Sequence, residues 1–89
     1  MSRAFAREDP NDPLDKDFGL PDRDDPSFDE AAARVLLEAA RDGDTEAAER
    51  ATGYYWGEQR LRPHVRRMLE AAQEAGDERL AQLARRFIA

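Results

Sequence analysis

Four of the five prolines, Pro10, Pro13, Pro21 and Pro26, fall within the first 26 residues, and beyond them only Pro63 remains. Proline has no backbone donor and biases the residue before it away from the helical basin, so this opening stretch punctuates rather than builds. The chain after Pro26 is free to form helices. Between Pro10 and Pro26 the sizeable apolar residues are Leu14, Phe18 and Leu20, too few to offset the entropy of ordering. Residues 1–26 therefore read as a mostly disordered acidic arm, with Leu14, Phe18 and Leu20 as anchors that would fold onto a partner.

The charge follows the same division. Of 89 residues, 20 are acidic and 14 basic, for a net charge of −6. Residues 1–30 hold ten acids against Arg3, Arg7, Lys16 and Arg23, whereas residues 31–89 hold ten acids and ten arginines. The excess thus belongs to the N-terminal third. It opposes non-specific attraction to nucleic acid or anionic membrane, while a locally basic stretch stays open to a specific anion. The absence of cysteine excludes a disulfide framework and a thiolate metal site. No run approaches the roughly 18 apolar residues of a membrane span. The opening MSRAFARED has no signal-peptide core, and Ser2 stands where myristoylation needs glycine. The expectation is a cytoplasmic protein with no membrane partner.

From residue 27 the pattern is helical. Ser27 and Glu30 form a capping box, after which Phe28, Ala32, Val35, Leu36 and Ala39 share one face with Leu37 beside it. Glu30 and Arg34 make an i, i+4 pair on the other face. Gly43 ends this helix and Asp44 caps the next, which uses Ala47, Ala48 and Ala51 and stops either at Gly53 or at Gly57. Pro63 suits the first turn of a third helix with a Leu61, Val65, Met68, Leu69, Ala72 stripe. Gly76 ends it. Asp77 caps a fourth helix that buries Leu80, Leu83, Ala84, Phe87 and Ile88. The expected helices are about 28–42, 45–56, 63–75 and 78–88. Nothing shows strand alternation, so the fold class is all-α: a small three- to four-helix bundle of two helical hairpins over residues 27–89.

The hairpins echo each other, LLEAARDGD at 36–44 against MLEAAQEAGD at 68–77, with the Gly-Asp steps 33 residues apart. Helical-repeat arrays have that period, but two copies are fewer than an array needs. Fifteen sizeable apolar residues from Phe28 to Ile88 make a thin core, which a homodimer through an alanine face would reinforce.

No catalytic residues emerge. One histidine and the hydroxyls of Ser2, Ser27, Thr45 and Thr52 form no nucleophile–base spacing. The acidic run Asp22, Asp24, Asp25, Asp29, Glu30 lacks the glycine and terminal glutamate of a calcium loop, and His64 has no ligand-type neighbour, so neither metal nor cofactor is expected. The informative stretch is GYYWGEQRLRPHVRR, residues 53–67. Tyr54, Tyr55 and Trp56 precede Arg60, Arg62, His64, Arg66 and Arg67, with Glu58 the only acid. In one reading Trp56 and one tyrosine close the end of the core, the arginines form a solvated face, and Arg66 or Arg67 pairs with Glu70. In the other these eight residues bind a partner. Cations at a helix N-terminus oppose the macrodipole, which points to an anionic ligand there. That ligand would be a carboxylate-rich peptide, a phosphate or single-stranded nucleic acid, the last disfavoured by the acidity.

The opening MSRAFARED resembles the leader, commonly MSRAFVKED, that precedes the globular part of some Gre-type bacterial transcription elongation factors. The resemblance covers Met1–Asp9 and departs at Ala6 and Arg7. It implies a bacterial protein working near RNA polymerase. The rest of the chain lacks the long coiled-coil hairpin and second domain of such factors, so their transcript-cleavage role does not carry over. The sequence thus points to a non-enzymatic protein-interaction module, with a transcription-associated or nucleic-acid-binding factor as the alternative.

Overall fold

The computed structural model describes residues 18–89; Leu14 and the rest of residues 1–17 lie outside the described residues. Among the described residues four helices run in the order α1 (Phe28–Arg41), α2 (Thr45–Thr52), α3 (Arg62–Ala75) and α4 (Glu78–Ile88), with a 3₁₀ turn, Gln59–Leu61, leading into α3. No strand occurs among the described residues. The bundle is small and all-α. It comprises two helical hairpins, α1–α2 and α3–α4, and α1 also packs against both helices of the second.

That shared role explains why α1 is buried so widely. Phe28, Ala32, Val35 and Ala39 lie on one line, but Ala33, Leu36 and Leu37 are buried too. At 100° per residue these positions sweep about 200° of the helix surface. A helix with one neighbour needs only about half that arc. Leu36 and Leu37 are fully buried, which places α1 at the centre of the core. Leu61, Val65, Leu83, Ala84 and Phe87 complete it, with Met68, Leu69, Leu80 and Ile88 half-buried at its margin.

Both hairpin turns use the same backbone device. After α1, the Gly43 N–H donates to Ala40 O (3.2 Å) and the Asp44 N–H to Ala39 O (2.8 Å). After α3, the Gly76 N–H donates to Gln73 O (3.2 Å) and the Asp77 N–H to Ala72 O (2.8 Å). This pair of bonds satisfies the last carbonyls of a helix and requires a left-handed residue between them, met by Gly43 at φ 74° and Gly76 at φ 76°. The 33-residue echo is thus an echo of structure as well as of letters.

Several local expectations are revised. Ser27 does not exchange bonds with Glu30; instead its N–H and hydroxyl both donate to Asp25 Oδ1, at 2.8 and 2.7 Å. Asp25 precedes Pro26, and an aspartate bonded two residues ahead makes the turn that starts α1. These bonds from the Ser27 backbone and hydroxyl hold the Asp25 carboxyl below its ordinary value. Asp77 caps α4 by accepting from the Leu80 N–H (3.2 Å), whereas Asp44 makes no side-chain capping bond to α2. The second helix stops at Thr52 rather than continuing to Trp56, because Gly53 takes the left-handed conformation (φ 79°).

The described part of the proposed arm is also structured. Phe18 and Leu20 pack against the core. The Arg23 guanidinium donates to Thr52 O (3.1 Å) and sits 5.4 Å from the Phe28 ring centroid. A cation at the exposed carbonyl end of α2 complements the macrodipole, and its position over an aromatic face adds attraction. Apolar content alone understated residues 18–26, because this arginine clasp helps offset the entropy of ordering them. The packed part of the chain thus extends upstream of Ser27 to include Leu20 and Phe18.

Candidate interaction surface

The loop from Gly53 to Glu58 is held from three sides. Thr52 is fully buried, with its hydroxyl donating to Ala48 O (2.9 Å) and accepting from the Tyr54 N–H (3.1 Å). The Tyr54 hydroxyl donates to Asp29 Oδ1 (2.7 Å), and the Trp56 N–H donates to Glu49 Oε2 (2.8 Å). Bonds to carboxylates are short and strong, so the loop is tied to both α1 and α2.

Those ties divide the three aromatics. Tyr54 stacks at a tilt on Phe28 (centroids 6.3 Å apart), and Trp56 meets Phe87 edge-on at 4.9 Å. Both close the core. Tyr55, between them, points away and is 77% exposed.

The basic residues are divided too. Arg62 is half-buried and donates to the Ile88 carbonyl at the end of α4, so it joins the two helices of the second hairpin and complements a helix C-terminus. His64 Nδ1 lies 2.8 Å from Arg67 Nη2. Hydrogen bonding to the Tyr54 hydroxyl and the nearby Asp29 carboxylate raise the pKa of exposed Arg60, keeping its charge fixed. Arg66 and Arg67 are exposed, and neither forms an ion pair with Glu70. Thus Tyr54, Trp56 and Arg62 serve the fold, while Tyr55, Arg60, Arg66 and Arg67 face solvent. Phe18 and Leu20, expected to anchor a partner, are packed on their own domain. Among the described residues no three His, Asp or Glu side chains are grouped to hold a metal ion.

Two concavities flank the loop. A cleft of about 380 Å³ is lined by Glu46, Glu49, Arg50, Gly53 and Tyr55. Its polar groups are engaged already: Arg50 pairs with Glu46 at 3.7 Å, and Glu49 holds Trp56. The second, about 340 Å³, lies between the α1–α2 turn and α4. Ala40, Trp56 and Leu83 supply its apolar surface, Thr45 a hydroxyl, and Arg79 and Arg86 two guanidinium groups. Arg79, Leu83 and Arg86 are spaced i, i+4, i+7 and so share one edge of α4. Neither arginine forms an ion pair or hydrogen bond with a described residue. Glu78 is the last acid in the chain, so no acid on α4 stands within a turn of Arg86.

The sequence reading missed Arg79 and Arg86. Their spacing around Leu83 was visible, but only the fold brings Trp56 from a loop 23 residues earlier in sequence beside that edge. No helix among the described residues is long and apolar enough to cross a membrane. No protein-family profile, curated protein or solved structure matches the chain.

Proposed function

We propose that this chain is a small, non-enzymatic, cytoplasmic bacterial protein-interaction module that receives an acidic segment of a partner protein in the Trp56 groove. The observation that carries this reading is the groove itself: half-buried Trp56 and Ala40 over the nearly closed-off Leu83, beside two guanidinium groups with no described partner. Its occupant would bury an apolar side chain and set carboxylates on Arg79 and Arg86, where planar guanidinium forks match carboxylate geometry. Tyr55, Arg60, Arg66 and Arg67 remain as exposed contacts outside the groove.

The competing reading, nucleic-acid binding near the transcription machinery, draws on the MSRAFARED resemblance and on the aromatic–arginine stretch. Stacking on successive bases needs exposed aromatic faces. With Tyr54 and Trp56 half-buried against the core, Tyr55 alone among the three is fully exposed, which favours the protein partner.

Trp56 is the sole tryptophan, so its emission reports directly on the groove. The test adds a short synthetic peptide carrying leucine and phenylalanine among aspartates, and in parallel a single-stranded oligonucleotide. Saturable change in Trp56 emission with the peptide, weakened at least tenfold by joint Arg79→Gln and Arg86→Gln substitution, supports the reading. Binding of the oligonucleotide alone would replace it with the nucleic-acid one.

A further inference from the structure

We infer that the chain's own residues 5–15 dock in the Trp56 groove, so that the N-terminal segment competes there with an external partner. The competition rests on the proposed function; the docking itself rests on the groove and the segment.

The complementarity runs through charge, apolar anchors and reach. Residues 5–15, FAREDPNDPLD, hold Glu8, Asp9, Asp12 and Asp15 against Arg7 alone. Their two large apolar side chains, Phe5 and Leu14, stand at either end of the acidic run. The groove offers the inverse: the half-buried Trp56 as its apolar wall, with Leu83 at its nearly closed floor and Arg79 and Arg86 beside it. Seven residues of helix separate the two arginines by about 10.5 Å at 1.5 Å per residue. Three residues of polyproline-type chain, the conformation that Pro10 and Pro13 favour, span about 9 Å. Asp9 and Asp12 have that separation, as do Asp12 and Asp15, so two successive carboxylates match two successive guanidinium groups.

Reach is sufficient. The segment joins the described domain at Phe18, which packs on the core. Nine residues separate Asp9 from Phe18, and extended chain covers up to about 30 Å over that length. The structure measures 27 and 21 Å across its two shorter axes and 48 Å along its longest, so Asp9 can span the short dimensions of the domain. Because tethering turns the contact into an intramolecular one with an effective concentration in the millimolar range, even a weak pairing would be populated. The external partner would then bind by displacing the segment.

The chain has no native cysteine, so a nitroxide placed through Asn11→Cys in the full-length protein labels one position. Nuclear magnetic resonance should then show the Trp56 indole N–H and the amides of Thr45, Leu83 and Arg86 broadened, with the broadening lost in an Arg79→Gln/Arg86→Gln background. Both arginines are exposed, so this background should stay folded. Broadening confined to residues 18–26, or unchanged by those substitutions, would overturn the docking.

A second arm separates this inference from the proposed function. The aspartate-rich peptide is titrated into the full chain and into a full-length variant carrying Glu8→Gln, Asp9→Asn, Asp12→Asn and Asp15→Asn. At least tenfold tighter binding to the variant is expected. Equal affinity for both would overturn self-docking and leave the proposed function standing. No binding to either, with the broadening present, would overturn the external partner and leave self-docking standing.

Discussion

The two hairpins share a turn but not a job. Each first helix ends on the same pair of backbone bonds around a left-handed glycine, Gly43 or Gly76, and each glycine is followed by aspartate. The two aspartates then diverge. Asp77 caps α4 and also receives Arg41 (3.4 Å) from the end of α1, which ties the hairpins together. Asp44 makes no capping bond to α2, an eight-residue helix whose buried side chains are Ala47, Ala48 and Thr52. The comparison teaches that a local motif dictates where a helix stops, while whether the following aspartate also caps the next helix is decided separately. The first hairpin gives the bundle its central helix. The second supplies the free arginine edge.

The largest expected effect strikes at that central helix. Leu36→Ala or Leu37→Ala removes a fully buried side chain from the helix that packs on both hairpins and should cost about 3 kcal/mol, as large core truncations do. A chain of this size has only about 4–10 kcal/mol in all. Chemical denaturation should show the midpoint drop, with Met68→Ala, at the half-buried margin of the second hairpin, losing less.

Substituting the turn glycines tests whether the two turns are equivalent. A Cβ at Gly43 or Gly76 would meet nothing, so each alanine variant should lose only the left-handed strain, about 1 kcal/mol, and by similar amounts. Gly53→Ala should lose more, because its Cβ would run into the Arg23 guanidinium and break the clasp on residues 18–26.

The caps should then distinguish the hairpins. Asp77→Ala should destabilise by about 1 kcal/mol, the usual worth of an N-cap, and Asp44→Ala by less. A thermal melt of each variant makes the comparison.

The smallest effect concerns pH. Since folding lowers the Asp25 pKa, Asp25 stabilises the fold fully above the unfolded value near 3.8 and loses that contribution as pH falls through the lowered folded value. Asp25→Asn should therefore flatten the acid limb of the stability profile slightly.

Much of the bundle was legible from periodicity because helices with apolar faces and glycine stops are local features. The all-α class, the hairpin pairing and the Asp77 cap followed from spacing alone. The second helix's stop at Thr52 was one of two open choices, and the buried Thr52 hydroxyl helps decide it by holding Tyr54 in the turn. Residues 18–26 were misread because their anchorage depends on Arg23 meeting an α2 carbonyl and the Phe28 ring, contacts that the apolar content of the segment does not register. A similar limit applied to the site. Clustering in sequence singled out residues 54–67, yet an inward turn claims Tyr54 and Trp56, and Arg62 bonds to Ile88. Arg79 and Arg86 lie far from that cluster in sequence, and only the fold sets Trp56 beside them.

The most direct test of the central claim is the Trp56 emission titration with the aspartate-rich peptide, run on the full chain at low and high salt. The expected result is saturable binding that weakens as salt rises and falls at least tenfold in the Arg79→Gln/Arg86→Gln chain. Binding of equal strength in that variant, or a Trp56 signal that responds to the oligonucleotide and not to the peptide, would contradict it.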